Sequence, residues 1–279
     1  TSPARTGDAP TGKFSERYAL ERCLGRGGMG EVWLAKHRLL SRQVAVKFIR
    51  PDTIGLDVED RDTTFRRFER EARATASLTS PHTIAIFDFG VGDDGAFYYV
   101  MEFLDGQDLE SLGQSVGPLG APRVAHLARQ LCLALPEAHA RGLVHREVKP
   151  ANVYVCRLGV ELDFVKVLDF GLVTTAEDAR EKFTRLTTEV LIAGSPAYMA
   201  PEVAKGMRAD ARSDLYSMGC VAYWMLTARL PFDARTSIEM LAAHAMLPPV
   251  PPSARLATPV DPELEAIVLS CLAKEPADR

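Results

Sequence analysis

The sequence predicts an α+β fold with two lobes, because of its length and a change of pattern along the chain. The chain has 279 residues, which exceeds the usual size of one compact domain. Its first hundred residues read as several strands with one helix, whereas the remainder is mainly helical in pattern. The change falls near residue 104. We therefore expect a small, strand-rich lobe over residues 14–104 and a larger helical lobe over residues 105–279.

The composition is that of an ordinary globular protein, with 47% hydrophobic and 25% charged residues. The net charge of -4 argues against nucleic acid as a partner, although a local basic patch can still bind phosphate. Five cysteines without a CxxC pair predict free thiols in a reducing compartment. Without a long apolar run or a signal-peptide pattern, we expect a cytoplasmic segment that makes no membrane contact. A membrane anchor elsewhere in a longer protein is left open.

The small lobe is predicted to hold five strands and one helix. Residues 1–13 contain few apolar side chains and predict a flexible leader. The predicted strands are Tyr18–Leu24, Glu31–Ala35, Val44–Ile49, Ile84–Phe89 and Phe97–Phe103, and the predicted helix is Thr63–Leu78.

The large lobe contains two clear helical patterns. Ala121–Arg141 is amphipathic, and Pro136 inside it should kink the helix or open a backbone hydrogen bond. Ser213–Thr227 is strongly apolar and begins at a capping Ser or Asp. Pro248–Pro252 predicts an extended connector between helices in preference to a proline-rich docking ligand.

A glycine-rich turn separates the first two predicted strands. Its glycines are Gly25, Gly27, Gly28 and Gly30, and Val32 follows them. Glycines let backbone N–H groups approach phosphate oxygens, because no Cβ stands in the way. A plain hairpin turn explains the pattern equally well. Its place between two strands argues against a Rossmann or P-loop site, in which a helix follows.

A lysine on the third predicted strand has two interpretations. In Ala45-Val46-Lys47 the lysine could be an ordinary surface charge. Alternatively, Glu71 on the following helix pairs with Lys47 and fixes its position over a phosphate.

Two loops of the large lobe carry the strongest chemical signal. His145-Arg-Glu-Val-Lys-Pro-Ala-Asn152 is followed by Asp169-Phe-Gly171. Such a pair of loops presents a base, a cation and two metal ligands to one triphosphate. The base position holds Glu147, where the pattern asks for Asp.

Taken in order, these motifs resemble those of a bacterial, eukaryotic-like (Hanks-type) protein serine/threonine kinase catalytic domain. The glycine loop, Ala-Val-Lys, a helix glutamate, His-Arg-Glu, Asp-Phe-Gly, Ala-Pro-Glu and Asp214 before an apolar helix occur in the expected sequence. The likeness covers about residues 14–279. It implies the two-lobed protein-kinase-like fold, with a small antiparallel sheet and one helix above the larger lobe and the nucleotide in the cleft.

The resemblance implies ATP and Mg²⁺ as cofactors and assigns a role to each matching position. Glu147 accepts the hydroxyl proton, and Lys47 and Lys149 offset phosphate charge. Asp169 and Asn152 hold the metal. The remaining nucleotide-binding positions are Gly25, Gly27, Gly28, Gly30, Val32, Ala45, Glu71, the gatekeeper Met101, the hinge residues Glu102 and Leu104, Asp108 for the ribose, and Tyr154. The Tyr154 ring either lies under the adenine or turns aside and packs in the lobe. His145 and Phe170 are implied packing residues that couple the two loops.

An activation segment from Asp169 to Glu202 also follows from the resemblance. Its candidate phosphorylation sites are Thr187 and Thr188, and Arg146 could pair with a phosphothreonine. Arg279 is expected to pair with Glu202 and anchor the end of the segment. Kinase folds normally continue further, so we expect the helical lobe to be cut short and the native protein to be longer.

Glu147 leaves two functions open. Relative to Asp, its extra methylene moves the carboxylate oxygens by up to about 1.5 Å. The first hypothesis is a kinase that transfers the γ-phosphoryl group of ATP to Ser/Thr hydroxyls of proteins. Its own activation segment is included, with a homodimer as one route to phosphorylation in trans. The second is a pseudokinase, an ATP-binding scaffold with little turnover. The intact lysine, metal ligands and glycine loop favour the enzyme.

Overall fold

The computed structural model describes residues 15–27, 30–49, 61–93, 95–170 and 196–279, without the side chains of residues 61–65, 67, 68 and 71. The chain divides into two compact units. The first comprises Thr1–Thr79 and Ile84–Leu104, and the second comprises Ser80–Thr83 and Asp105–Arg279.

The first unit is built on a five-stranded antiparallel sheet. Its strands are β1 (Tyr18–Gly27), β2 (Gly30–His37), β3 (Gln43–Ile49), β4 (Ile86–Val91) and β5 (Phe97–Glu102). They lie in the order β1-β2-β3-β5-β4, and helix α1 (Arg61–Ala76) packs against β4. The five predicted strands and the predicted helix are therefore confirmed, with ends that differ by a few residues.

Both faces of the sheet carry buried side chains, and one hydrophobic cluster lies on one of these faces. The side chains of this cluster alternate along β2 and β3, because successive side chains of a strand point to opposite faces. They are Trp33, Ala35, Val44, Val46 and Phe48, which pack with Tyr18, Tyr98 and Val100. The β-branched residues of β3 therefore form a rigid central strand for the site residues that it carries.

The second unit is mainly helical and also contains a sheet that the sequence pattern did not indicate. Its helices are α2 (Leu109–Val116), α3 (Ala121–Ala134), α4 (Pro136–Ala140), α5 (Pro201–Ala204), α6 (Ala211–Thr227), α7 (Ser237–Met246) and α8 (Pro262–Cys271). The antiparallel sheet has the order β6-β7-β8, with β6 (Asp105–Asp108), β7 (Val153–Leu158) and β8 (Glu161–Val167). Short 3₁₀ turns cover Pro150–Asn152, Pro196–Tyr198, Pro252–Ala254 and Pro276–Asp278.

Pro136 divides the amphipathic segment predicted over Ala121–Arg141 into two helices. Helix α3 ends at Ala134, and Pro136 starts α4 at a position where its missing N–H costs nothing. On α3, Val124, Leu127 and Leu131 form a buried stripe, and the helix packs on β8 and α6. The expected kink or opened hydrogen bond is thus observed as an interruption of one residue, Leu135, whose backbone stays in the α region.

Helix α6 is the buried centre of the second unit. Asp210 caps it by accepting the backbone N–H of Arg212, and the Ser213 hydroxyl accepts the backbone N–H of Asp210 in a capping box. The prediction of an apolar helix begun by Ser or Asp is confirmed. The proline run Pro248–Pro252 lies between α7 and α8, where a connector was predicted.

All five cysteines are free thiols, as their spacing predicted. In the part of the chain that the structure describes, no helix has both the length and the apolar character needed to cross a membrane.

Candidate active site

Asp214 anchors the loop that carries the predicted base. Its carboxylate is fully buried and accepts the backbone N–H groups of His145 and Arg146, both at 2.8 Å. The ring Nε2 of His139 contacts Asp214 Oδ2 at 2.7 Å. Arg146 has a φ of 67°, in the left-handed region that costs energy for a residue with a Cβ. The hydrogen bonds to Asp214 offset that cost and fix the backbone just before Glu147.

His145 ties this loop to the segment before Asp169. The backbone N–H of Glu147 donates to Nδ1 at 3.3 Å, so the ring proton lies on Nε2, which donates to the Leu168 carbonyl at 2.8 Å. The ring also packs on Phe170, with centroids 4.7 Å apart. The structural coupling role implied for His145 and Phe170 fits these contacts.

The two predicted metal ligands are brought close along the backbone. The Leu168 N–H donates to the Asn152 carbonyl at 2.9 Å, so Asp169 directly follows a residue bonded to Asn152. The Asn152 side-chain N–H₂ donates to the Glu147 carbonyl at 2.9 Å, which directs the amide oxygen away from that bond. Asp169 has a φ of 54°, a strained conformation of the kind found at functional sites.

The base candidate Glu147 contacts Lys149, the lysine predicted to offset phosphate charge. Lys149 Nζ lies 3.1 Å from Glu147 Oε2, and both side chains are about four-fifths buried, at 21% and 22% exposure. The carboxylate therefore lies beside the charge that would offset negative charge on a transferred phosphoryl group.

The first unit contains the other residues that the sequence predicted to contact phosphate. Lys47 is half-buried on β3, opposite Val32 of β2 and Tyr99 of β5, and its Nζ lies 5.7 Å from the Tyr99 ring centroid. Gly30 has a φ of 140°, and a Cβ there would collide with the Phe48 carbonyl. Glycine is therefore required at this position by the backbone itself.

The hinge candidates follow β5. Met101 is buried and pairs with Ala45 of β3. The Glu102 carboxylate accepts the Ala85 N–H at 2.9 Å, and the Glu102 N–H donates to the Ala85 carbonyl at 3.0 Å. The side chain of Glu102 thus stabilises the end of its own strand. The half-buried Leu104 is the last residue of this unit.

Asp108 and Tyr154 have contacts within the second unit. Asp108 caps α2 by accepting the backbone N–H of Ser111 at 2.8 Å and its hydroxyl at 2.7 Å. Tyr154 donates its hydroxyl to the Gly106 carbonyl at 3.0 Å. Burial, and then the charge of Asp108, raise the pKa of Tyr154. This hydrogen bond holds the hydroxyl end of the ring within the second unit, and both expectations for the ring stay predictions.

Glu202 and Arg279 form the buried ion pair that the sequence predicted. Arg279 Nη2 and Nη1 donate to the two Glu202 oxygens at 2.7 and 2.8 Å, and Ser213 donates to the same carboxylate at 2.7 Å. Burial alone would raise the pKa of Glu202, but the hydrogen bonds from Arg279 and Ser213 hold it below its usual value.

Some predicted residues lie outside the described part of the chain. They are Gly28, the side chain of Glu71, and the activation-segment residues Thr187 and Thr188. The Lys47–Glu71 pair and the phosphorylation sites therefore stay predictions. Sequence reasoning missed His139, because nothing local marks a residue whose partner Asp214 is 75 positions away.

The five-stranded sheet, the helical unit and the His145–Asn152 and Asp169–Phe170 loops together define a protein kinase. The family model described as the protein kinase domain matches residues 18–279. The chain belongs to the protein kinase family.

The curated relatives are bacterial serine/threonine-protein kinases. Serine/threonine-protein kinase PknB of Mycolicibacterium smegmatis is 40% identical over 270 residues, which cover 95% of this chain and 41% of the relative. Serine/threonine-protein kinase pkn3 of Myxococcus xanthus is 38% identical over 264 residues, or 94% of this chain and 47% of the relative. The chain therefore spans less than half the length of these relatives.

Solved structures agree on the fold. The PknI kinase domain of Mycobacterium tuberculosis has a TM-score of 0.72 and 28% identity, and the match covers 98% of this chain and 94% of that one. Rad53 in complex with AMP-PNP has a TM-score of 0.75 and 25% identity, with 95% and 62% covered. The resemblance, the fold class and the assignment to protein serine/threonine kinases are confirmed.

Proposed function

We propose that this domain transfers the γ-phosphoryl group of ATP to Ser or Thr hydroxyls of proteins, with Glu147 as the base. The observation that carries the proposal is the arrangement of the Glu147 loop. Asp214 fixes its backbone, and Lys149 lies 3.1 Å from the Glu147 carboxylate. Glu in place of Asp keeps a negatively charged carboxylate at the base position. The ammonium group of Lys149, which the reaction needs, lies beside this carboxylate.

In this proposal each side chain has a limited task. Glu147 accepts the proton of the attacking hydroxyl, and Lys149 offsets negative charge on the phosphoryl group in transit. Lys47 holds the α and β phosphates. His145 and Asp214 hold the loop, which keeps the base aligned without reorganisation during the reaction.

The donor set fits magnesium. Mg²⁺ is usually held by one or two protein oxygens together with phosphates and water, so a cluster of three carboxylates is not required. Within the described ranges no group of three or more His, Cys, Asp or Glu could hold a metal ion. Asn152 offers an amide oxygen whose orientation is set by its N–H₂ bond to Glu147, and Asp169 offers a carboxylate. Bound magnesium supplies neutralisation of the phosphate charge.

The nucleotide-binding surface of the proposal uses the remaining matched positions. These are Gly25, Gly27, Gly28, Gly30, Val32, Ala45, Glu71, Met101, Glu102, Leu104, Asp108 and Tyr154. The AMP-PNP complex of Rad53 supports an adenine nucleotide as the ligand of this fold.

Autophosphorylation at Thr187 or Thr188 is proposed as the activating step, with Arg146 as the partner of the new phosphate. Two copies of the chain in transient contact would allow the reaction in trans. Protein substrates are the expected partners, and the chain acts in the cytoplasm, either by itself or as part of a membrane-anchored protein.

The test compares the wild type with Asp169→Ala, using labelled ATP, Mg²⁺ and dephosphorylated casein as the acceptor. We expect the wild type to label casein and itself, and Asp169→Ala to lose this labelling, because it lacks a metal ligand. Peptide mapping of the labelled chain locates the phosphate. A parallel thermal shift with ATP, with and without Mg²⁺, reports binding. If the wild type binds Mg-ATP and labels no more than Asp169→Ala, the pseudokinase alternative replaces the enzyme.

A further inference from the structure

The two predicted metal ligands lie just beyond the end of one β ladder. Strands β7 and β8 pair antiparallel, and the pair at this end of the ladder is Val153 with Val167. Asn152 directly precedes Val153, and Asp169 follows one residue after the end of β8. The register of β8 on β7 therefore sets which residue lies next to Asn152. A shift of one residue would also turn every side chain of β8 to the other face.

A glutamine side chain binds the edge of β8 that faces away from β7. Among the described strands β8 is an edge strand, so the backbone groups on its outer side need other partners. The buried amide of Gln130 on α3 donates to the Asp163 carbonyl at 2.8 Å and accepts the Val165 N–H at 3.0 Å. Arg123, on the same helix, donates to both carboxylate oxygens of Asp163 at 2.8 Å. Helix α3 thus bonds to β8 much as a neighbouring strand would.

The segment Ser80–Thr83 continues along the same edge. His82 Nδ1 lies 3.0 Å from the Val165 carbonyl, and it must carry the proton, because a carbonyl only accepts. The Val167 N–H donates to the His82 carbonyl at 2.8 Å. The His82 ring also stacks on Phe164, with centroids 4.6 Å apart and an angle of 21° between the planes. His82 therefore holds the last third of β8 with its ring and its backbone.

These bonds fix the chain up to the metal ligand. Gln130 and His82 together bind the outer edge of β8 at every second residue, and the next backbone N–H, that of Leu168, donates to the Asn152 carbonyl at 2.9 Å. Buried backbone groups are costly to leave without a partner. Strand β8 can therefore neither slide nor move outward without a loss of free energy, and Asp169 is held where the strand ends.

We propose that Gln130, supported by His82, is a positioning residue for the metal ligand Asp169: it holds β8 in the register that brings Asp169 beside Asn152. The inference rests on the proposed function, in which these two residues bind Mg²⁺. Groups that orient a metal ligand affect the affinity for the metal without touching it. Loss of the Gln130 amide should therefore raise the Mg²⁺ requirement and leave the binding of the protein acceptor unchanged.

The chain offers a matched pair of variants for the test. Gln130→Met keeps the length of the side chain and removes the amide. Thr227→Val is the control, because the buried Thr227 hydroxyl also bonds to backbone on both sides: it donates to the Tyr223 carbonyl at 2.8 Å and accepts the Arg229 N–H at 3.1 Å. Both variants should lower the midpoint of thermal unfolding by about 2 to 10 °C. The first changes the edge of β8, and the second changes the end of α6.

Two measurements on the full chain do not need phosphate transfer. The first is hydrogen–deuterium exchange of the segment that contains Leu168. The second is the rise of the unfolding midpoint with ATP, measured over a series of Mg²⁺ concentrations. In Gln130→Met we expect the exchange rate, and the Mg²⁺ concentration that gives half of the rise, to increase by about threefold to tenfold, the effect of one lost buried hydrogen bond. Thr227→Val should match the wild type in both.

Steady-state labelling of dephosphorylated casein separates positioning from a general loss of structure. In Gln130→Met the Mg²⁺ concentration for half of the maximal rate should rise by the same factor, whereas the KM for casein should change less than about twofold. His82→Phe serves as a second variant. It keeps a ring to stack on Phe164 and removes the proton donated to the Val165 carbonyl, so it should shift the same quantities in the same direction.

Each outcome decides the inference. Faster exchange with an unchanged Mg²⁺ requirement, unchanged exchange, an equal rise in Thr227→Val, or a KM for casein that rises with the Mg²⁺ requirement would overturn it. If Gln130→Met does not fold, His82→Phe decides by the same criteria. If the wild type transfers no phosphate, the proposed function fails separately, and the exchange and the Mg²⁺ dependence of the midpoint still decide whether Gln130 positions Asp169.

Discussion

Glu147 carries its carboxylate one methylene further from the backbone than an aspartate would. The backbone of the loop is fixed on both sides of it, by Asp214 before and by the Asn152 bond to its carbonyl. The substitution therefore changes only the distance between the carboxylate and the backbone. In the structure, this longer side chain contacts Lys149. The substitution should affect proton transfer from the acceptor and leave nucleotide binding unchanged.

The Glu147→Asp variant tests how much alignment the longer side chain costs. We expect kcat to rise by about 10- to 100-fold, since a misplacement near 1 Å costs about 10² in rate. The KM for ATP should stay the same, because Lys47, Asn152 and Asp169 are untouched. Initial rates with labelled ATP and casein measure both parameters. Glu147→Gln keeps the length without the charge and should fall below the wild type. A lower kcat for Glu147→Asp would show that the surrounding residues are adapted to the longer carboxylate.

Among the elements, α6 links stability to the site most directly. Its first turn contains the capping box, Asp214 and the start of the Glu202 contact through Ser213. The hydrogen bond from Arg212 is the main cause that lowers the pKa of Asp210, and burial opposes it. A destabilising substitution at the start of this helix should therefore lower the free energy of unfolding and also disturb the loop that Asp214 holds.

Asp210→Ala tests that link against a matched cap. Loss of an N-cap costs about 1 kcal/mol of unfolding free energy. Asp261 caps α8 through the N–H groups of Glu263 and Leu264, so Asp261→Ala should cost a similar amount. Of the two variants only Asp210→Ala should also lower kcat, by up to about tenfold, because α6 holds the base loop through Asp214. Urea unfolding and casein labelling measure the two effects. Equal kcat values in the two variants would mean that loss of the cap at the first turn of α6 does not change the position of the base loop.

Elements with a strong local pattern were predictable from the sequence, and pairings over long distances were not. Strand β3 has β-branched residues that favour a strand by themselves, so Val44–Ile49 was assigned nearly to its observed bounds. Strand β6 is Asp-Gly-Gln-Asp, which lacks any strand preference, and it exists because it pairs with β7 about fifty residues later. The end of α3 at Ala134 could not be predicted either. The proline indicates that the helix is disturbed, but it does not indicate how strongly.

For the whole molecule, the site depends on contacts between distant segments of the second unit. The Glu202–Arg279 pair, 77 residues apart, could be predicted because the resemblance supplies both partners. The His139–Asp214 and Tyr216–His244 contacts could not, since no local pattern marks either histidine. Motif residues that are expected to bind ATP are recognisable by type and order, whereas the residues that hold them in place are specified only by packing.

The buried histidine makes stability depend on pH in a defined direction. In the unfolded chain His244 gains a proton near its ordinary pKa of 6.5, whereas the folded protein resists this until about pH 4. The unfolded state therefore binds more protons between these values, and stability falls as the pH falls from 6.5 towards 4. The loss is on the order of 3 kcal/mol over this window. Below pH 4.5 protonation of Glu202, whose folded pKa is also lowered, adds to it.

Thermal unfolding of the wild type and His244→Phe at a series of pH values separates the two groups. The wild-type midpoint should fall continuously from pH 6.5 to below 4, with the histidine acting first. His244→Phe should start lower, because Tyr216 loses its partner, but its midpoint should stay nearly constant down to about pH 4.5 and fall only where the Glu202 pair titrates. The slopes, and not the midpoints themselves, are compared. Parallel curves for the two proteins between pH 6.5 and 4.5 would show that His244 does not remain neutral in the fold.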